Sequence, residues 1–176
     1  MLAPYAGVAR PVRASGARHE ARKQVMALQE WIERLLATAT VLGGYPPAAP
    51  PPPVTVIAQS ELSARVCGEA CAVKGAFIPG QGLFIIDALE IEASPQDRSV
   101  LLHELVHYLQ EVNGRYANES ACDRFRDREL EAYRLQDEYL SRYGLGVGSQ
   151  TASLEWQPSA CLDDEGSGAV QTFQTR

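Results

Sequence analysis

The segment from Ser94 to Gly114 constrains this chain more than any other, because it specifies an apolar helix that carries two histidines and a glutamate. Ser94 is suited to cap the helix, Pro95 fits the first helical position, and Asp97 sits at the positive end of the helix dipole. Val100, Leu101, Leu102, Leu105, Val106 and Leu109 supply apolar positions, and Asn113-Gly114 stops the helix after about Val112. His103 and His107 stand one helical turn apart, so their rings project from one face. Two imidazoles placed in this way can share one zinc ion at about 2.0–2.1 Å. Glu104 is rotated off that face yet near enough to serve as general base toward a water on the metal. The third histidine, His19, lies in the charged run Arg18, Glu20, Arg22, Lys23 and is read as solvated.

A catalytic zinc takes three protein ligands and keeps a fourth position for water, so a third ligand is needed. No histidine follows His107, and Gln110 and Asn113 occupy the later positions of the extended three-histidine motif. A carboxylate is therefore expected. A further helix is predicted from Ser120, where Ser120-x-x-Asp123 resembles a capping box, to about Tyr143. On it Cys122, Phe125, Ala132, Gln136 and Leu140 form one mostly apolar stripe with Glu129 in the middle, whereas Glu131 points with Asp127, Arg134 and Glu138 to a charged side. A carboxylate on a buried stripe needs a cation or hydrogen bonds to offset its desolvation, which favours Glu129 over Glu131 as the ligand. A salt bridge to Arg124, Arg126 or Arg128 is the plainer role for Glu129, and Asp123 and Asp127 are more distant candidates.

His103-Glu104-x-x-His107 followed by Glu129-x-x-Ala132 resembles the gluzincin arrangement of zinc metallopeptidases, in which thermolysin-like enzymes place two histidines on one helix and a glutamate on the next. The resemblance covers about residues 83 to 143. It implies His103, His107 and Glu129 as zinc ligands, Glu104 as catalytic base, and a peptide or protein substrate. The acidic residue that often follows the glutamate motif as a partner for a histidine is replaced by Tyr133, which could hydrogen-bond at the site or be a core tyrosine. Zincin-like enzymes commonly pair a substrate peptide with an edge strand beside the metal, and Leu83 to Asp87 is the candidate by position.

The remaining chain bounds these expectations. A helix is predicted over about Ala17 to Leu42, with Val25, Leu28, Ile32, Leu35 and Ala39 on its packing face. Gly43-Gly44 ends it, and a proline run to Pro53 reads as a stiff connector rather than a ligand for a partner groove. Val54 to Ala58 and Leu83 to Asp87 read as strands, Leu62 to Val66 as a weaker one, and Gly68, Gly75, Pro79-Gly80 and Gly82 as turn signals. The expected fold is α+β, zincin-like and mainly helical, with a small sheet preceding the motif helix. Its divisions are 1–53 (packing helix and connector), 54–144 (catalytic core) and 145–176 (irregular tail), with residues 166–176 disordered unless a partner holds them.

With 176 residues, 45% of them hydrophobic, the chain can bury one sizeable core. A net charge of -6 and no basic stripe argue against nucleic acid, and no apolar stretch approaches the length of a membrane span. Four cysteines allow two disulfides, with Cys67–Cys71 and Cys122–Cys161 favoured among the connectivities over a metal knuckle. Export to a periplasm or the exterior is expected if a signal was removed before residue 1, since residues 1–16 lack a signal core, and a cytoplasmic location otherwise. Rival readings are a non-catalytic scaffold in which metal ties two helices, a zinc amidase acting on cell-wall material, and a precursor activated by removal of the Ala17 to Pro53 arm.

Overall fold

The computed structural model describes residues 14–47 and 50–145, with side chains from residue 25 onward. It is an α+β fold of four helices and one three-stranded sheet. The elements run α1 (Ala14–Gly43), β1 (Val54–Ile57), α2 (Gln59–Val66), β2 (Gly75–Ile78), β3 (Gly82–Ile86), α3 (Pro95–Val112) and α4 (Ala121–Ser141). The C-terminal tail, including Cys161, lies outside the described residues. No helix among the described residues is long and apolar enough to cross a membrane.

The two helices of the motif begin as their caps require. Ser94 Oγ accepts the Asp97 N–H at 3.1 Å, and Ser120 Oγ accepts the Asp123 N–H at 3.2 Å. Helix α3 is the centre of the molecule: α1, α4, β2 and β3 all pack on it, and every residue from Leu101 to Gln110 is buried. Ile32, Leu35, Leu36 and Ala39 of α1 share that core, so removing residues 17–53 would expose its α1-facing side. Val25, by contrast, is 67% exposed and not part of the packing face. Arg98 on α3 joins three helices: its Nε donates to Tyr139 Oη of α4 at 3.0 Å, and its guanidinium lies 4.4 Å over the Trp31 ring of α1.

The sheet order is β1-β3-β2, with β1 parallel and β2 antiparallel to β3. Strand β3 is buried on both faces, and the period of two divides it: Leu83 and Ile85 enter the core against α3, while Phe84 and Ile86 join a smaller cluster with Leu62 of α2. Three expectations need correction here. Leu62 to Val66 is helix α2 rather than a strand, because Glu61, Leu62, Ala64 and Arg65 are strong helix formers and Arg65 pairs with Glu61 at 2.8 Å one turn away. The segment read as turns at Gly75 contains a strand, β2. Leu83 to Asp87 is not the edge beside the motif helix: β3 is central, and β2 takes the edge.

Close approaches explain two glycines. Gly82 has φ +109°, and a Cβ there would lie 2.5 Å from the Pro53 carbonyl oxygen, which accepts the Leu83 N–H at 2.9 Å. The connector is thus pinned to the sheet, and Tyr108 Oη holds it again by donating to the Pro50 carbonyl at 2.8 Å. A Cβ on Gly75 would lie 2.9 Å from Glu104 Cγ, so β2 reaches its position over α3 only without a side chain at that point. Cys67–Cys71 form a disulfide as expected; Cys122 is disulfide-bonded too, and its expected partner falls outside the described residues.

Leu105 is fully buried on α3, where sheet and helices meet. Leu105→Ala is expected to destabilise the fold by about 2–5 kcal/mol through lost burial and a residual cavity, measured by denaturant unfolding.

Candidate metal centre

Helices α3 and α4 bring His103, His107 and Glu129 together. His107 Nε2 lies 3.1 Å from Glu129 Oε1, His103 Nε2 lies 3.3 Å from the other carboxylate oxygen, Oε2, and the two Nε2 atoms are 3.1 Å apart. One ligand atom from each of the three residues lies within 4.8 Å of the others, close enough for the three to face a common ion. The group could hold a metal ion, and its two nitrogens and one oxygen suit a borderline-soft divalent cation.

The titration of these groups follows from their crowding. Burial alone lowers the His107 pKa, but the adjacent Glu129 carboxylate outweighs it and raises the value to about 9. Burial pushes the Glu129 carboxyl up, and His107 and His103 pull it further in the other direction, well below the usual carboxylate range. The His107–Glu129 contact thus favours the charged form of each group.

Glu104 lies beside the group, 6% exposed, and burial raises its pKa. Its Oε2 accepts the backbone N–H of Phe77 on β2 at 2.8 Å. The base predicted from the motif is thus seated against the edge strand. Tyr133 lies edge-on to the His103 ring, with centroids 4.5 Å apart, and is buried. Burial, with Glu129 and Glu104 near it, raises its pKa and keeps the phenol protonated.

Each histidine is oriented by a glutamine. His103 Nδ1 is 3.2 Å from Gln136 Oε1, and Gln136 Nε2 donates to Ser99 Oγ at 2.9 Å. The Ser99 hydroxyl donates to the Gln96 carbonyl at 2.6 Å, which leaves Ser99 Oγ as acceptor and turns Gln136 Oε1 toward the ring. His107 Nδ1 is 2.9 Å from Gln110 Oε1. The partner that the resemblance places at Tyr133 is supplied by amides instead. Neither glutamine was identified from the sequence, although Gln136 on the apolar stripe and Gln110 among buried leucines both fall where an unpaired amide would be costly.

The other sequence candidates go elsewhere. Glu131 is not on an exposed charged side: it is 6% exposed, its Oε1 lies 2.9 Å from Arg115 Nη2, and its Oε2 accepts from Tyr45 Oη at 2.7 Å. Helical periodicity assigned its direction correctly relative to Glu129 but could not show that the α3–α4 loop and the end of α1 cover that direction. Asp123 and Asp127 pair with Arg126, and Arg128 bonds Gln110 Oε1 and the His107 carbonyl, while Glu129 faces the two histidines.

An α+β chain whose two packed helices present this donor set is defined as a candidate metal-binding protein. Residues 17–164 match the family described as a domain of unknown function (DUF6647), and the chain belongs to that family. No curated protein and no solved structure matches it.

Phe77 N–H points away from β3 and toward Glu104. Glu104→Ala is expected to accelerate hydrogen exchange of the Phe77 amide while leaving the Ala76 amide protected, as read by amide exchange NMR.

Proposed function

We propose that this protein is a zinc-dependent hydrolase, a metallopeptidase that cleaves peptide bonds with Glu104 as general base. The observation that carries this reading is the convergence of His103 Nε2, His107 Nε2 and the Glu129 carboxylate, with a second carboxylate, Glu104, beside them and outside the ligand set. A purely structural zinc is closed by four protein ligands and has no use for such a base. A zinc ion held by the three residues would supply an acidified water and a Lewis acid for the substrate carbonyl.

The chain's own residues account for the rest. Glu104, in a dry setting that raises its proton affinity, takes a proton from the attacking water and returns it to the leaving amine. The edge strand β2 carries backbone groups toward the same side, and an extended peptide that paired there would lie across Glu104. Tyr133, kept protonated next to His103, is a hydrogen-bond donor at the wall of the site. The placement of a small sheet edge over the motif helix is what a zincin-like fold requires, and it supports that finer description.

One observation favours a second reading. His103, Glu104 and His107 are 3%, 6% and 9% exposed, a degree of burial typical of a metal that ties helices together in a scaffold. The two readings diverge in one variant. Glu104→Gln is expected to retain about one zinc per chain by elemental analysis and to lose peptide hydrolysis, whereas Glu129→Ala loses the metal itself. Full turnover by zinc-loaded Glu104→Gln would remove Glu104 from catalysis, and failure of folded wild type to take up zinc would remove the metallopeptidase reading altogether.

Metal binding must displace a proton from His107. Because its pKa is raised to about 9, the proton competes throughout the range below that value. Apparent zinc affinity is expected to rise up to about tenfold per pH unit toward pH 9 and then level off, measured by competition with a chelator at fixed ionic strength.

A further inference from the structure

Gln110 is fully buried, and three neighbours decide which way its amide faces. Its Nε2 lies 3.0 Å from Glu131 Oε2 and 2.9 Å from the Arg128 carbonyl oxygen, both of which only accept. Its Oε1 receives Arg128 Nε–H at 3.2 Å. A flipped amide would set oxygen against a carboxylate and a carbonyl, and NH2 against a guanidinium, so the observed orientation is enforced. The His107 Nδ1 that meets this oxygen at 2.9 Å must then carry a hydrogen, which leaves Nε2 as the ring nitrogen able to bind a metal.

The relay ends in a charge. Glu131 is held by Tyr45 Oη at 2.7 Å, Tyr116 Oη at 3.3 Å and Arg115 Nη2 at 2.9 Å, groups from the end of α1 and the α3–α4 loop. The corresponding chain behind His103 runs through Gln136 and Ser99 to a neutral backbone carbonyl. Only the His107 side is backed by a carboxylate, and that negative charge polarises the Gln110 amide so that its oxygen is a stronger acceptor.

We infer that Glu131 is a positioning residue of the metal centre, acting through the Gln110 amide to fix the tautomer and strengthen the donor character of His107. The inference rests on the metal reading above. The neighbouring pair Glu129 and Glu131 thereby divides the work: the first faces the histidines, and the second stands behind one of them. A carboxylate beside a metal-bound histidine is the common form of this device, and here an amide is interposed between the two.

Zinc affinity is measured by chelator competition on wild type, Glu131→Gln and the double variant Gln110→Glu/Glu131→Gln, each first shown to fold by its metal-free thermal unfolding. Glu131→Gln preserves shape and removes only charge, so it is expected to fold and to bind zinc about 10–100-fold more weakly. The double variant moves the carboxylate one link nearer to His107 but sets an oxygen against the Arg128 carbonyl, and is expected to recover part of that loss. In the zinc-loaded proteins, NMR of the exchangeable Nδ1–H protons should show faster solvent exchange at His107 in Glu131→Gln, with His103 unchanged. Wild-type affinity and exchange in Glu131→Gln would overturn the inference alone, as would a loss that alters both histidines equally and is not recovered in the double variant. Absence of zinc from folded wild type would overturn the metal reading and this inference with it.

Discussion

A polar seam buried between α3 and α4 is the interaction on which the rest of the structure depends. Along α3 the buried polar groups Arg98, Ser99, His103, His107 and Gln110 find partners on α4 in reverse order: Tyr139, Gln136, Glu129, and then Arg128 with Glu131. That order is what antiparallel packing demands. Each of these groups would cost about 1–3 kcal/mol if buried without a partner, so slipping one helix past the other by a turn would strand several of them together. The surrounding leucines favour contact between the helices but not one particular contact. The seam selects the register, and the register is what brings Glu129 opposite the two histidines.

The sheet follows from the same arrangement. Because α3 is buried along most of its length, something must cover the side that α4 and α1 leave, and β3 does so with Leu83 and Ile85. Strand β2 then lies at the edge, close enough to α3 for Phe77 N–H to meet Glu104. The lack of a side chain on Gly75 permits that approach. A buried carboxylate and an edge amide satisfy each other, and the local geometry of the strand is tied to the residue that the motif marks as base.

Much of this was legible in the chain itself. Ser94, Pro95 and Ser120 placed both helix starts because capping is a local matter, decided within one turn. That Glu129 rather than Glu131 faces the histidines was also legible, since helical angle depends only on position. The errors have different causes. Leu62 to Val66 was misread although its residues favour a helix locally, and β2 was missed because a glycine that serves a close approach resembles a glycine that serves a turn. The edge was assigned to the wrong strand because strand order is a non-local property.

The sequence by itself determined which side chains could form a metal site: two histidines one turn apart, a glutamate beside them, and a carboxylate on the facing stripe of the next helix. Those are consequences of helix geometry, which neighbouring residues impose on one another. Only the tertiary structure decided what stands behind the two histidines. Gln136 of α4 meets His103, the Gln110 amide that meets His107 is itself bonded to Glu131 of α4, and Tyr45 and Arg115 bury a carboxylate that periodicity alone would have left in water. A hydrogen bond between distant segments depends on where the whole chain has brought them, and no local rule carries that information.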